Sequence, residues 1–222
     1  MKNLLKIALC ASLIFNFQFS VFNSVSAQIT HNSQGRLDEN ATEALQKASK
    51  KLQNVSGTVT LTLLDSQKKQ TAKQSARVQY RKGMYRLTMD NQEVVCNGET
   101  IWQWNKDANE IVINNMPPES DVDLLNPGRL IANYGKNFRA KYIRTDNDGT
   151  VVVDLQPRSS QSYHKIRLFI NEETGELRRI EVHKYDSSRE IYDFSNQKYN
   201  TLKGNFSFNP ADHPEAEVID MR

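Results

Sequence analysis

The chain has 222 residues with 29 Lys and Arg against 26 Asp and Glu, a formal charge of +3. Two of those bases, Lys2 and Lys6, precede an apolar run from Ile7 to Val25 that ends in Val25-Ser26-Ala27, the pattern of an export leader cleaved after Ala27. Its removal leaves 27 bases against 26 acids, too even a balance for a nucleic-acid partner without an arginine-rich arm or a basic groove.

Polar interruptions at Asn16, Gln18, Ser20, Asn23 and Ser24 leave fewer than the roughly 18 consecutive apolar residues that a membrane span needs. Cys10 lies too early, and after the wrong neighbour, Leu9, to be a lipidation site. The mature chain, residues 28–222, fits one exported domain, and its single cysteine, Cys96, excludes an internal disulfide. Val94 and Val95 before it make Cys96 a buried small hydrophobe.

Residues 28–36 are polar and aperiodic. Leu37, Ala41, Ala44, Leu45, Ala48 and Leu52 then recur at three- and four-residue steps, which predicts a helix with one narrow apolar stripe. The period changes to two at Val55, Gly57, Val59, Leu61 and Leu63, a strand with one buried face. Further strands are predicted near 71–82, 84–90, 93–97, 100–105, 110–114, 138–144, 150–156, 164–170, 177–185, 189–195 and 204–208. Lys82-Gly83, Asp90-Asn91, Asn97-Gly98, Asp148-Gly149, Thr174-Gly175 and Asp186-Ser187 mark the turns. Connections this short predict an antiparallel meander. The interruption at 115–135 contains Pro117-Pro118 and then Asn126-Pro127, a helix start ahead of Leu130 and Ile131, and reads as a short helical lid.

Catalytic and metal chemistry find no footing. His31, His164, His183 and His213 are scattered, and Ser66-Gln-Lys-Lys69 and Ser162-Tyr-His-Lys165 sit at a turn and a strand entry instead of opening a helix. Asp121 and Asp123 lack the glycine and glutamate of a calcium loop, and no glycine-rich phosphate loop follows a strand. No enzyme activity, cofactor or metal is expected. Large apolar residues are dense between Met84 and Ile113, which suits either a filled core or an open cavity.

The stretch Val95-Cys-Asn-Gly-Glu-Thr-Ile-Trp102-Gln-Trp104-Asn105 resembles a strand-turn-strand pattern of the outer-membrane lipoprotein carrier protein family, the LolA-like periplasmic carriers. Tyr80-Arg81-Lys82-Gly83-Met84-Tyr85-Arg86-Leu87 is similar to the strand pair bearing that family's functional arginine. Gly175-Glu176-Leu177, Phe206-Ser-Phe208-Asn-Pro210 and Glu217-Val-Ile-Asp220 resemble its closing strands and tail. Asn97 stands where the family usually has aspartate, and Lys82-Gly83 where a proline commonly follows the arginine.

The resemblance implies a mainly β fold, an unclosed antiparallel barrel with an N-terminal helix and a helical lid, and Arg81 pointing inward to latch that lid. Arg81, Tyr85, Leu87 and Met89 share a face if the turn at Gly83 keeps phase; a snorkelling arginine at the rim is the alternative. The expected lipid-binding wall is Tyr85, Leu87, Met89, Trp102, Trp104, Ile111, Ile113, Leu130, Ile131 and Phe138. The implied partners are acylated lipoproteins, an inner-membrane ATP-driven lipoprotein-releasing transporter as donor, and an outer-membrane receptor or the membrane itself as acceptor, for a monomeric carrier. The rivals are a periplasmic sensor or scaffold of the same fold that binds lipid or protein without transport, and a membrane-anchored acceptor.

Overall fold

The computed structural model describes residues 39–117, 126–204 and 206–222. The leader at 1–27, the polar arm at 28–36, Leu37, and Pro118, Asp121 and Asp123 lie outside the described residues.

The first element is helix α1, Glu39–Lys51. Ala41, Ala44, Leu45 and Ala48 are buried along one stripe, with Glu39 in the first turn and Lys50 and Lys51 in the last, signs that suit the helix dipole. Strands β1 Asn54–Leu64, β2 Gln70–Arg81, β3 Met84–Thr88, β4 Gln92–Cys96, β5 Thr100–Asn105 and β6 Glu110–Asn115 follow. Two short helices come next, α2 Pro127–Ala132 and α3 Tyr134–Asn137. Strands β7 Phe138–Thr145, β8 Thr150–Pro157, β9 Tyr163–Asn171, β10 Leu177–Lys184, β11 Arg189–Tyr199 and β12 Glu217–Asp220 complete the chain, with a 3-10 turn at Pro210–Asp212 before β12.

The predicted turns form for the expected steric reason. Lys82 and Gly83 both take positive φ, 49° and 84°, as a two-residue hairpin requires. Asn97 Oδ1 accepts from the Glu99 and Thr100 amides at 2.9 and 2.8 Å, so asparagine serves that turn well. Asn126 caps α2 through Oδ1, which accepts from the Arg129 amide at 3.0 Å, with Pro127 in the first turn. Cys96 is buried, as its valine neighbours imply.

All twelve strands join one unclosed sheet in the order β12-β6-β5-β4-β3-β2-β1-β11-β10-β9-β8-β7. Two expectations are corrected. The strand expected at 204–208 does not form among its described residues: 206–208 cross one face of the sheet, where the Arg86 guanidinium donates to the Ser207 carbonyl at 3.0 Å and Phe208 packs on Trp104. The strand that closes the order is β12, and it runs parallel to β6, with Val218 beside Ile111 and Ile219 beside Val112. The sheet is therefore antiparallel everywhere except at this edge, and the expected single meander is instead two, β1 to β6 and β7 to β11, joined where β1 pairs with β11.

The register assigns each side chain to one of two faces. On β8 to β10 the inner face is apolar and closed: Val153, Leu155, Ile166, Leu168, Ile170 and Ile180 are at most 1% exposed. The outer face of the same strands carries charge. Arg167 grips Asp154 with two bonds of 2.6 and 2.9 Å, His183 meets Glu181 at 3.1 Å, and Arg179 meets Asp193 at 2.6 Å.

Helix α1 roofs the inner face, packing on α2, β7 and β9. It rests on the β9–β10 turn: Lys47 Nζ donates to the Glu172 carbonyl at 3.0 Å, and a Cβ on Gly175 would lie 2.7 Å from the Lys47 carbonyl carbon. Gly175 also has φ +71°, so both sterics and backbone demand glycine there.

Gly175→Ala should therefore cost about 2 kcal/mol or more, from left-handed strain plus displacement of α1. Gly149→Ala provides the control, because Gly149 has the same φ of +71° with nothing within 4 Å of its Cβ, and should cost about 1 kcal/mol. Melting temperatures of the two variants read the difference.

The outer ladder makes a second prediction. Burial pushes the Asp154 carboxyl up, but the Arg167 hydrogen bonds and charge, with Lys165 and His183 nearby, carry it below its ordinary 3.8. A carboxyl lowered on folding stabilises the fold above its unfolded value, and that stabilisation fades as pH falls through the folded value. Asp154→Asn should melt several degrees lower at neutral pH and lose less further stability than wild type below about pH 4. Thermal melts across pH test this.

Candidate functional site

The two-residue hairpin at Lys82-Gly83 decides which side chains can share a surface. It pairs Arg81 with Met84 and Tyr80 with Tyr85, so Arg81 lies on the face opposite Tyr85 and Leu87. Across the next turns Leu87 pairs with Val94 and Val94 with Gln103, whereas Val95 pairs with Trp102, Trp102 with Ile113, and Trp104 with Ile111.

The expected wall therefore divides. Tyr85, Leu87 and Met89 belong to the inner face, where Gln74 Nε2 reaches Met89 Sδ at 3.4 Å. Phe138 is 1% exposed and in phase with inner-face Ala140 beside Leu155. Leu130 and Ile131 are buried in α2, the helix that packs on α1.

Trp102, Trp104, Ile111 and Ile113 are on the outer face and do not join that wall. Residues 206–213 pack on Trp104. Phe206 is buried, the Trp104 ring lies 6.2 Å from Phe208 and 3.8 Å from His213, and Phe208 and His213 stack at 5.3 Å. These aromatics hold a crossing segment to the sheet.

Arg81 is corrected with them. Its guanidinium donates to the Gly204 carbonyl, at the start of the same segment, and does not meet the α2 backbone. The acceptor is a backbone carbonyl, as a planar donor fork favours, but on the other side of the sheet from the lid. The helix is tied down by other bonds: Asn126 Nδ2 donates to the Gly83 carbonyl at 2.9 Å, and Arg129 to the Pro117 carbonyl at 2.8 Å.

The inner surface that remains accessible lies on β1, which sequence reasoning left out of the site. Val59, Leu61 and Leu63 are only half-buried although β1 sits mid-sheet between β2 and β11. Their inner-face neighbours are in register. Val59 lies between Ala76 and Phe194, Leu61 between Gln74 and Tyr192, and Leu63 between Ala72 and Glu190. Alanines on β2 leave room above the row, and Phe194 is itself half-buried. The alternation of Val59, Leu61 and Leu63 was visible in the sequence; what could have drawn attention to it is the pair of small residues across the hairpin, Ala72 and Ala76.

This row is a strip of apolar side chains on the helix-bearing face, open beside β2 and roofed toward β7 to β9. It has no nucleophile paired to a base, and its chemistry is that of desolvating hydrocarbon. Among the described residues there is no group of three or more His, Cys, Asp or Glu that could hold a metal ion, and no helix long and apolar enough to cross a membrane. A recess on the outer face is lined by residues already paired with one another, Arg178 with Asp148 and Arg179 with Asp193, both at 2.6 Å.

Comparisons with known proteins bear on the family. No curated protein sequence matches the chain. Among solved structures, an uncharacterized conserved protein from Thermus thermophilus is 13% identical, with 81% of this chain and 98% of that one covered at a TM-score of 0.49. A LolA superfamily protein from Nitrosomonas europaea is 14% identical, with 73% and 94% covered at 0.38. MucB, in the MucA/MucB complex of Pseudomonas aeruginosa, is 14% identical, with 81% and 63% covered at 0.47. The family described as outer membrane lipoprotein carrier protein LolA matches residues 50–209, well over half of the sequence. The chain belongs to the outer membrane lipoprotein carrier protein family.

Proposed function

We propose that this chain is a non-enzymatic periplasmic carrier that receives the acyl chains of lipoproteins on its inner face and moves them from the inner to the outer membrane. The observation that supports it best is the half-buried row Val59, Leu61 and Leu63 on a central strand, apolar surface that a closed core would have covered. Family membership and the leader pattern at residues 1–27 support the compartment and the class of cargo.

The physical task is large. Three acyl chains of about 15 carbons present on the order of 40 methylenes, roughly 30 kcal/mol of burial at about 0.8 each. A carrier must replace most of that while still letting go, which suits an open apolar strip better than a sealed cavity. Loading against the pull of the bilayer calls for an external energy source. In this reading that is an inner-membrane ATP-driven transporter, and the acceptor is an outer-membrane receptor or the membrane.

Leu61→Asn tests the strip. Loss of about 1.5 to 3 kcal/mol of contact should weaken acyl binding roughly 10- to 100-fold and lower the melting temperature by less than a substitution at a fully buried inner-face residue such as Leu168. The assay is release of lipoprotein from donor membranes, with mass spectrometry of lipid extracted from the purified protein. Unaltered release by the variant, or a wild-type protein that neither carries acyl ligand nor releases lipoprotein, would leave a sensor or scaffold on the same fold as the better reading.

Arg81→Leu separates the two faces. It should leave acyl binding unchanged while speeding amide exchange around residues 204–208, because Arg81 donates to Gly204. Weakened acyl binding would return Arg81 to the binding surface.

A further inference from the structure

Strand β2 outruns one of its neighbours. β3 pairs with it only from Arg77 to Arg81, whereas β1 accompanies it to Gln70. Residues 70–76 therefore have a strand on one side and, among the described residues, none on the other. The register shows which backbone groups this leaves over. The Lys82 amide donates to the Gln53 carbonyl at 3.1 Å, so counting back by twos along the unshifted ladder, Tyr80, Val78, Ala76, Gln74 and Ala72 turn their amides and carbonyls to β1. The alternate residues turn theirs the other way. Arg81, Gln79 and Arg77 meet β3, and Ser75 and Lys73, both exposed, face the open side.

This edge adjoins the apolar row. On the inner face Ala72 lies beside Leu63 and Ala76 beside Val59, and both alanines are half-buried. A strand laid along the open side would stand one strand away from the row, with only these small side chains and Gln74 between. The charge around the edge is one-sided: from Ser66 to Met89 the sequence has seven bases and no acid, with Lys69, Lys73 and Arg77 exposed on β2 and its turn. Two copies of this chain paired edge to edge would bring those bases together, which disfavours a second copy as the occupant. A neutral or acidic peptide meets no such repulsion.

We infer that the open edge of β2 at Lys73 and Ser75 takes, as an added strand, the polypeptide that follows the acylated residue of a cargo lipoprotein, while its hydrocarbon lies along Leu63, Leu61 and Val59. The inference deepens the carrier reading and rests on it. Main-chain bonds at a sheet edge supply affinity without demanding a sequence, which suits a carrier of varied cargo.

The test compares a palmitoylated five-residue peptide of Ser, Thr and Asp with palmitoyl N-methyl amide, which has the acyl chain and no peptide. Wild type should bind the lipopeptide roughly 10-fold more tightly, and the Lys73 and Ser75 amides should exchange more slowly with the lipopeptide bound but not with the amide. Methylating the peptide's backbone nitrogens at odd or at even positions should abolish the gain in one series only, because alternate residues of an added strand face β2. Ser75→Pro removes an amide that makes no bond to β1 and should erase the gain while leaving binding of the amide probe unchanged. Ser75→Ala, which like the proline loses the 2.9 Å bond to Thr60 Oγ1, should keep it.

A lipopeptide bound no more tightly than the amide, a gain that survives Ser75→Pro, or equal loss in both methylated series overturns strand addition and leaves the apolar strip intact. If Ser75→Pro does not fold, the two methylated series on wild type decide the matter. No binding of either probe overturns the carrier reading beneath it.

Discussion

In a pleated sheet every hairpin commits the next strand to a phase, and no later interaction can rotate a side chain to the opposite face without rebuilding the register. The hairpin at Lys82-Gly83 is the decisive instance. By pairing Arg81 with Met84 it sends Tyr85 and Leu87 inward and Arg86 outward, and the register carries that choice through β4, β5 and β6. One edge region thus presents two apolar faces. The inner one continues the wall of Tyr85 and Leu87, and the outer one carries Trp102 and Trp104, of which Trp104 is packed by Phe208 and His213.

The roof is set by a different kind of constraint. Helix α1 has small residues on its buried stripe, Ala41, Ala44 and Ala48, with Leu45 the one large side chain, so it lies close to what it covers. Its position is fixed at the β9–β10 turn by Gly175 and Lys47, far in sheet order from β2. A helix held there seals β8 to β10 and leaves β1 half-covered. The open strip is thus a consequence of where the helix is anchored as much as of the composition of β1.

The sheet was largely legible because its signals are local. Alternation identifies strands, and residues that tolerate positive φ, such as Gly83, Gly98, Gly149 and Gly175, separate them. The segment 204–208 misled because Phe206 and Phe208 alternate as they would in a strand, while their burial comes from crossing a face, a long-range fact with no local trace. β12 was recognised only as a tail because four residues with two charged ends carry little periodicity. For the site, the odd-numbered series from Arg81 to Met89 suggested a shared face, but a two-residue turn sets residue i opposite i+3 and reverses that parity at once. The openness of β1 was beyond sequence reading, since it depends on the seat of α1.

The parallel seat of β12 on β6 also bears on colloidal behaviour. Unpaired strand edges template aggregation, and a sheet that leaves apolar side chains partly uncovered can least tolerate a sticky rim. Here the terminal strand at one border is short and carries Glu217 and Asp220, while the opposite border, β7, displays Arg139, Lys141 and Arg144. The two rims are fenced by charge, which disfavours strand-on-strand stacking between neighbouring molecules.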